Sequence, residues 1–140
     1  MLRQFLVGSL VSGCNIAIHA LGMVAIINAA QATQARGASR PSLFLLTVMI
    51  VTASFLMIVH FVEVLIWAMA YRFIDAAPPE ADLMYFAFSN YTTLGYGDII
   101  PVERWRLIGP MTAMNGVLLF GWSTAVIFEV LRKTILNRAR

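Results

Sequence analysis

Three apolar stretches, each long enough to cross a bilayer as a helix, limit what this chain can fold into more than any other feature. The first runs from about Phe5 to Ala30, the second from Leu43 to Tyr71, and the third from Trp105 to Leu131. Crossing the hydrocarbon core takes about 20 helical residues. There the backbone must satisfy its own hydrogen bonds, so unbroken apolar runs imply helices. Leu43 to Val59 carries no charge and only Thr47, Thr52 and Ser54 as hydroxyls. The first stretch is more mixed, with Gly8, Ser9, Ser12, Gly13, Asn15, Ala17, His19 and Gly22. In the third, Asn115 is the main internal polar side chain and Glu129 lies near the end.

Composition agrees and excludes other classes. Of 140 residues, 60% are hydrophobic and 12% charged, against about 45–50% and about 25% in soluble domains. So few charges cannot cover a small water-soluble body. Cys14 is the only cysteine, so no intrachain disulfide framework exists. The net charge of +3 does not point to nucleic acid. The bases cluster beside apolar runs, as Arg36 with Arg40, Arg104 with Arg106, and Arg132, Lys133, Arg138 with Arg140. No element carries the basic and aromatic stripe that phosphates and bases require, and no nucleic-acid partner is expected.

Residues 31–41, QATQARGASRP, read as a water-exposed connector closed by Pro41. The segment from Arg72 to Arg104 is neither plain loop nor full span. Its apolar part, LMYFAFSNYTT at 83–93, predicts a helix covering about 18 Å, too short to cross. It therefore reads as a re-entrant helix followed by extended chain. The fold class expected is an all-α membrane protein with three transmembrane helices, a re-entrant helix and a loop.

Charge placement suggests an orientation. With the re-entrant loop outside, the cytoplasmic parts hold Arg36, Arg40, Arg132, Lys133, Arg138 and Arg140 and no acid. The outer parts then hold Arg3, Arg72, Arg104 and Arg106 against Asp75, Glu80, Asp82, Asp98 and Glu103. That follows the positive-inside rule and places the amino terminus outside and the carboxyl terminus in the cytoplasm, in the cell membrane. The first stretch is expected to be a retained span, being longer and more polar than a cleaved leader.

The strongest signal is Thr92-Thr93-Leu94-Gly95-Tyr96-Gly97-Asp98. Glycines at alternate positions reach backbone angles closed to other residues. Such alternation lets successive carbonyls face the same way, and several copies around one axis would then stack oxygen rings that replace a cation's hydration shell. The carbonyls of Thr93, Leu94, Gly95 and Tyr96, with Gly97 at the outer end, would line the path. The Thr93 hydroxyl would complete the innermost site. The Leu94 and Tyr96 side chains would pack behind. A helix ending near Thr92 would aim its negative end at the cavity, and Asp98 would stand at the mouth.

TTLGYGD resembles the signature of the potassium-channel pore family, usually T-V/I-G-Y/F-G, and the order of elements around it is similar too. The resemblance implies an outer helix at 43–71, a pore helix at 82–92, a filter at 93–97 and an inner helix at 105–131. Together these make a pore domain over 43–131, about 90 of the 140 residues. Residues 1–42 would then be an extra amino-terminal span with its cytoplasmic connector, and 132–140 a basic tail. It further implies a homotetramer in membrane lipid that conducts K⁺ selectively over Na⁺, with no catalytic residues and no cofactor beyond the permeant ion. A glycine near Gly116 is the family's usual inner-helix hinge, and Gly121, preceded by Phe120, follows five residues on. Leu94 departs from the usual Val or Ile, and Ser89 stands where some relatives carry a carboxylate behind the filter. Thr92, Ser89 and Asp98 are the candidate filter supports. No arginine-rich helix offers voltage sensing.

Other residues carry open alternatives. Glu63 lies deep in the second stretch with His60 one turn before it. The pair is either a pH-sensitive brace or a structural hydrogen bond to Tyr85, Ser89, Tyr91 or Trp67. A zinc site from His19, His60 and Glu63 is not expected, because nothing in the sequence fixes the three together. Ser9, Gly13 and Ala17 repeat every four residues and predict the face by which the first span docks, against the outer helix. Pro110 is expected to bend the third span near its outer end. Asn115 either lines a cavity below Thr93 or bonds across helices. Phe120, Val126 and Phe128 are candidates for a gating constriction. Trp67, Tyr71, Trp105 and Tyr85 are expected as interfacial lipid anchors.

Overall fold

Apolar patterning becomes four α-helices in the computed structural model, which describes residues 1–34 and 41–136. They are α1 (Leu2–Gln34), α2 (Pro41–Ile74), α3 (Leu83–Tyr91) and α4 (Ile108–Leu136), with a 3-10 turn at Glu103–Trp105 before α4. No β-strand occurs among the described residues. Residues 35–40, with Arg36 and Arg40, and residues 137–140, with Arg138 and Arg140, lie outside them. The protein is thus all-α, with three helices long and apolar enough to cross a membrane. At 33, 34 and 29 residues, α1, α2 and α4 each exceed the length needed to span about 30 Å.

The helix ends correct several expectations. α1 continues through polar residues to Gln34, so the connector begins later than position 31. Pro41 does not close that connector but opens α2, where a proline's missing N–H would have no intrahelical partner. α2 runs on to Ile74, beyond Tyr71. Trp105 belongs to the 3-10 turn, and α4 starts at Ile108. Pro110 is consequently the third residue of α4, within the turn whose N–H groups are unpaired anyway, so it has no helical bond to break. At the far end of α4, Glu129 pairs with Arg132 at 2.8 Å and Lys133 at 3.3 Å.

α1 packs against both α2 and α4, and α3 is wedged between α2 and α4. The face α1 uses is not the predicted one. Ser9, Gly13 and Ala17 are exposed, whereas Gly8, Asn15, His19, Met23 and Ile26 are buried. Gly22 lets Val59 approach, since a Cβ there would lie 3.0 Å from Val59 Cγ2. The amino-terminal end of α1 is tied to the entry of α4. The Leu107 N–H donates to Gln4 Oε1 at 2.9 Å, and the Arg3 guanidinium lies 5.1 Å from the Trp105 ring centre. The amino terminus therefore shares one end of the bundle with the segment joining α2 to α4.

Two clusters fill the interior. At that same end, Val64, Trp67, Tyr71, Phe86, Tyr91, Trp105 and Ile108 pack together. Trp67 and Tyr71 are 0% exposed and Trp105 is 2% exposed, so these three are core residues and not lipid anchors. Their rings maximise dispersion contacts where lipid offers no hydrophobic drive for helix association. At the other end Met23, Ile26, Val48, Leu56, Val126 and Val130 form the second cluster.

Candidate functional site

The segment after α3 has the most unusual backbone in the chain. Asp82 starts α3 by accepting hydrogen bonds from the Met84 and Tyr85 N–H groups at 3.0 and 3.1 Å. This N-cap satisfies donors that the first turn would leave bare. Thr92 caps the other end, its hydroxyl donating to the Phe88 carbonyl at 2.7 Å. Helical geometry stops at once, because Thr93 adopts a φ of 61°. Gly95 and Gly97 follow with φ of 54° and 78°, while Leu94 and Tyr96 between them are not positive. Left-handed angles thus recur at every second residue. For Thr93, a non-glycine residue, that angle costs about 1–2 kcal/mol and must be held by its surroundings.

Hydrogen bonds from α3 hold this backbone. The Thr93 N–H donates to the Asn90 carbonyl at 3.0 Å, and the Gly95 N–H donates to the carbonyl of Ser89, itself buried, at 3.2 Å. Beyond the glycines, Tyr85 Oη donates to Asp98 Oδ2 at 2.7 Å, and Asp98 Oδ1 accepts from the Ile99 N–H at 3.1 Å. The carboxylate beside it pushes the Tyr85 phenol pKa above its ordinary value of 10.0. Residues 92–98 are all exposed in the single chain, and the Leu94 and Tyr96 side chains, expected to pack behind this segment, are 54% and 69% exposed.

The carboxyl-terminal turn of α3 is itself anchored by a directional relay. Asn90 Nδ2 donates to Tyr71 Oη at 3.3 Å, and Tyr71 Oη lies 2.6 Å from Thr112 Oγ1. Because Thr112 donates to the Ile108 carbonyl, the Tyr71 hydroxyl is the donor to Thr112. α2, α3 and α4 are thereby joined in one chain of bonds. Gly116 on α4 is pressed directly against the end of α3.

Deeper in the bundle lies a second polar constellation, largely unforeseen in the sequence. Glu63 is fully buried and has three side-chain partners. His19 Nδ1 of α1 is 2.8 Å from Oε1, His60 Nδ1 is 2.9 Å from Oε2, and Tyr91 Oη of α3 donates to Oε2. Ser123 Oγ of α4 lies 2.9 Å from His60 Nε2 and 3.4 Å from His19 Nε2. Of the partners expected for Glu63, Tyr91 is the one found; Trp67 instead donates to Asn115 Oδ1 at 3.0 Å, and Tyr85 turns to Asp98. Asn115 is 3% exposed and also accepts from Asn15 Nδ2 at 3.2 Å, so within the chain it bonds across helices. Asn15 Nδ2 reaches the Glu63 carbonyl as well, at 3.2 Å. His19, His60 and Glu63, which no sequence pattern ties together, stand with one ligand atom each within 4.8 Å of one another. The available signal was Asn15 and His19 four residues apart on one face of a span, a spacing that demands polar cover at the same interface.

The residues considered for gating divide by exposure. Val126 is buried against α1 and α2 in the second cluster, so within the chain it faces inward. Phe120 and Phe128 are 36% and 65% exposed, and Phe120 stacks near His60 with ring centres 4.7 Å apart. A Cβ on Gly121 would meet nothing within 4 Å.

Compared with known proteins, the chain matches the model of an ion-channel family over residues 43–133, a stretch that includes nearly all of α2, α3, the irregular segment and most of α4 and leaves α1 outside. No curated protein and no solved structure matches it.

Proposed function

The chain belongs to the ion-channel family, and on that premise we propose that it is a potassium-selective channel in which four copies surround one axis. Ion channels move ions passively and make or break no bond, so the protein is not an enzyme. In the proposed assembly α3 is the pore helix, residues 93–97 are the filter, α2 and α4 are the outer and inner helices, and α1 is an additional span.

The observation carrying this reading is the recurrence of positive φ at Thr93, Gly95 and Gly97 within TTLGYGD. Turning every second peptide this way is what a row of carbonyls facing one side requires. Four such rows give oxygen rings able to stand in for the water around K⁺. The exposure of residues 92–98 supports assembly. In a membrane, irregular backbone survives only where protein covers it or water fills the path beside it. Neighbouring copies would cover Leu94 and Tyr96 while the carbonyls face the ions. The Thr93 hydroxyl would complete the inner site, Thr92 and Ser89 would support the segment from α3, and Asp98, held by Tyr85, would stand at the outer mouth. Phe120 and Phe128 remain the constriction candidates, Gly116 and Gly121 the points where α4 would bend, with Val126 behind them. Lipid surrounds the tetramer. The distribution of basic residues supports an orientation with the filter mouth and amino terminus outside and the carboxyl terminus in the cytoplasm.

Flux into liposomes carrying the purified protein, under K⁺ and Na⁺ gradients in turn, tests the proposal. K⁺-driven flux without Na⁺-driven flux, lost in Gly95→Ala, is the expected result, since alanine resists the φ of 54° held by Gly95. Equal flux of both ions would replace selectivity with weakly selective cation conduction. Absence of flux from assembled tetramers at low and neutral pH would overturn the conducting reading in favour of a structural subunit.

A further inference from the structure

We propose that His19, His60 and Glu63 form a binding site for a divalent transition-metal cation of the zinc class, buried where all four helices meet. The inference is independent of which ion the pore conducts. Two imidazoles and a carboxylate are a donor set that binds zinc with one position left open. Imidazole nitrogen favours such metals over K⁺ or Mg²⁺, which prefer oxygen alone.

The count of protons in this cluster leaves a gap that a metal would fill. With both imidazoles neutral and both Nδ1 atoms donating to Glu63, both Nε2 atoms are bare lone pairs. Both, however, face one hydroxyl, Ser123, at 2.9 and 3.4 Å. A hydroxyl has a single proton, so one of these nitrogens meets oxygen lone pairs instead of a donor. A cation bound by the two Nδ1 atoms moves the ring protons to Nε2. Ser123 Oγ, with two lone pairs, then accepts from both rings. That is the outer-shell arrangement that fixes metal-bound histidines, where each ring's other nitrogen donates to a held acceptor. One extra proton, making His19 an imidazolium, would repair the count equally well, and this is the rival the experiment must separate.

Geometry and access are suitable. Neighbouring ligands around tetrahedral zinc stand about 3.4 Å apart for bonds of about 2.1 Å. The donor atoms here lie 2.8 to 2.9 Å apart across the carboxylate and within 4.8 Å overall, so small side-chain adjustments reach that spacing. Tyr91 Oη, 2.9 Å from His60 Nδ1, stands beside the open position. His19 and Glu63 are closed off, but the His60 side chain keeps 15% of its surface accessible and forms the entry. A bound cation would tie α1, which lies outside the channel-family match, to α2 within it.

The test uses full-length protein in detergent, stripped with chelator and then dialysed against Co²⁺ and, separately, Zn²⁺. One Co²⁺ per chain with the intense visible absorption of a tetrahedral site is expected. His19→Ala, His60→Ala and Glu63→Gln should each weaken binding at least about tenfold, and Ser123→Ala, which removes only the outer partner, about tenfold. Wild-type protein that takes up no metal, or variants that bind as tightly as wild type, would overturn the proposal, the former leaving the extra proton as the network's completion. Should the variants fail to assemble, X-ray absorption of Zn²⁺ in the wild-type protein decides the matter. Two imidazoles in a nitrogen and oxygen shell support the site; a sulfur ligand from Cys14, or no imidazole signal, overturns it.

Discussion

A Cβ atom on Gly116 would lie 2.0 Å from the Tyr91 carbonyl oxygen, so α4 and the end of α3 touch backbone to backbone. The resemblance-based role of Gly116 is a hinge, yet its place here also demands the absence of a side chain. Gly116→Ala must push α4 away from α3 and should cost about 1–3 kcal/mol. Gly121→Ala meets open space and should change stability by less than about 0.5 kcal/mol. Thermal unfolding of the two variants in detergent separates them; equal stabilities would leave only the hinge role.

The same reasoning tests the face of α1 that docks. Gly22→Leu drives a large side chain into Val59, whereas a Cβ at Gly13 meets nothing within 4 Å. Gly22→Leu should lower the unfolding temperature clearly and Gly13→Leu should not. The reverse order would restore the Ser9, Gly13 and Ala17 stripe as the docking face.

Asp82 starts the helix that leads into the irregular segment. Asp82→Ala deletes both cap bonds, to Met84 and Tyr85 N–H, and should destabilise by about 0.5–2 kcal/mol. Asp82→Asn keeps an oxygen acceptor and should retain most of that stability. Unfolding in denaturing detergent provides the comparison.

Tyr85 gives a pH dependence with a definite sign. Its hydrogen bond to the Asp98 carboxylate favours the neutral phenol and raises its pKa above 10.0. The contact is therefore fully present below the unfolded-state value and is lost only as pH rises through the higher folded one. In the ultraviolet phenolate titration, the difference between wild type and Tyr85→Phe should appear above pH 10. A difference centred at or below the ordinary tyrosine range would show that the bond does not form in solution.

The spans, the short helix and the glycine motif were legible because each is written in consecutive residues. Apolar length sets α1, α2 and α4, and the Thr92–Asp98 run marks the end of α3. What escaped depends on which way a residue faces. Trp67, Tyr71 and Trp105 have the composition of an interfacial belt, but an indole or phenol suits a buried site equally when a partner such as Asn115 or Thr112 waits there. The small residues of α1 suggested the Ser9, Gly13 and Ala17 face, and in an apolar helix with little amphipathic contrast only Asn15 and His19 marked the face that is buried. His19 and Glu63 are 44 positions apart, and only the packing of α1 on α2 brings them together.

The bonds from Asn15 and His19 to Glu63 also bear on the order of events at the ribosome. A carboxylic acid entering the bilayer within a lone helix is penalised by about 2.5–3.5 kcal/mol on insertion scales. α1 precedes α2 in the chain, so the imidazole of His19, which meets the carboxyl, and the amide of Asn15, which meets the Glu63 backbone carbonyl, are already synthesised when Glu63 emerges. Chain order therefore offers the buried Glu63 carboxyl its α1 partner from the moment it enters the membrane.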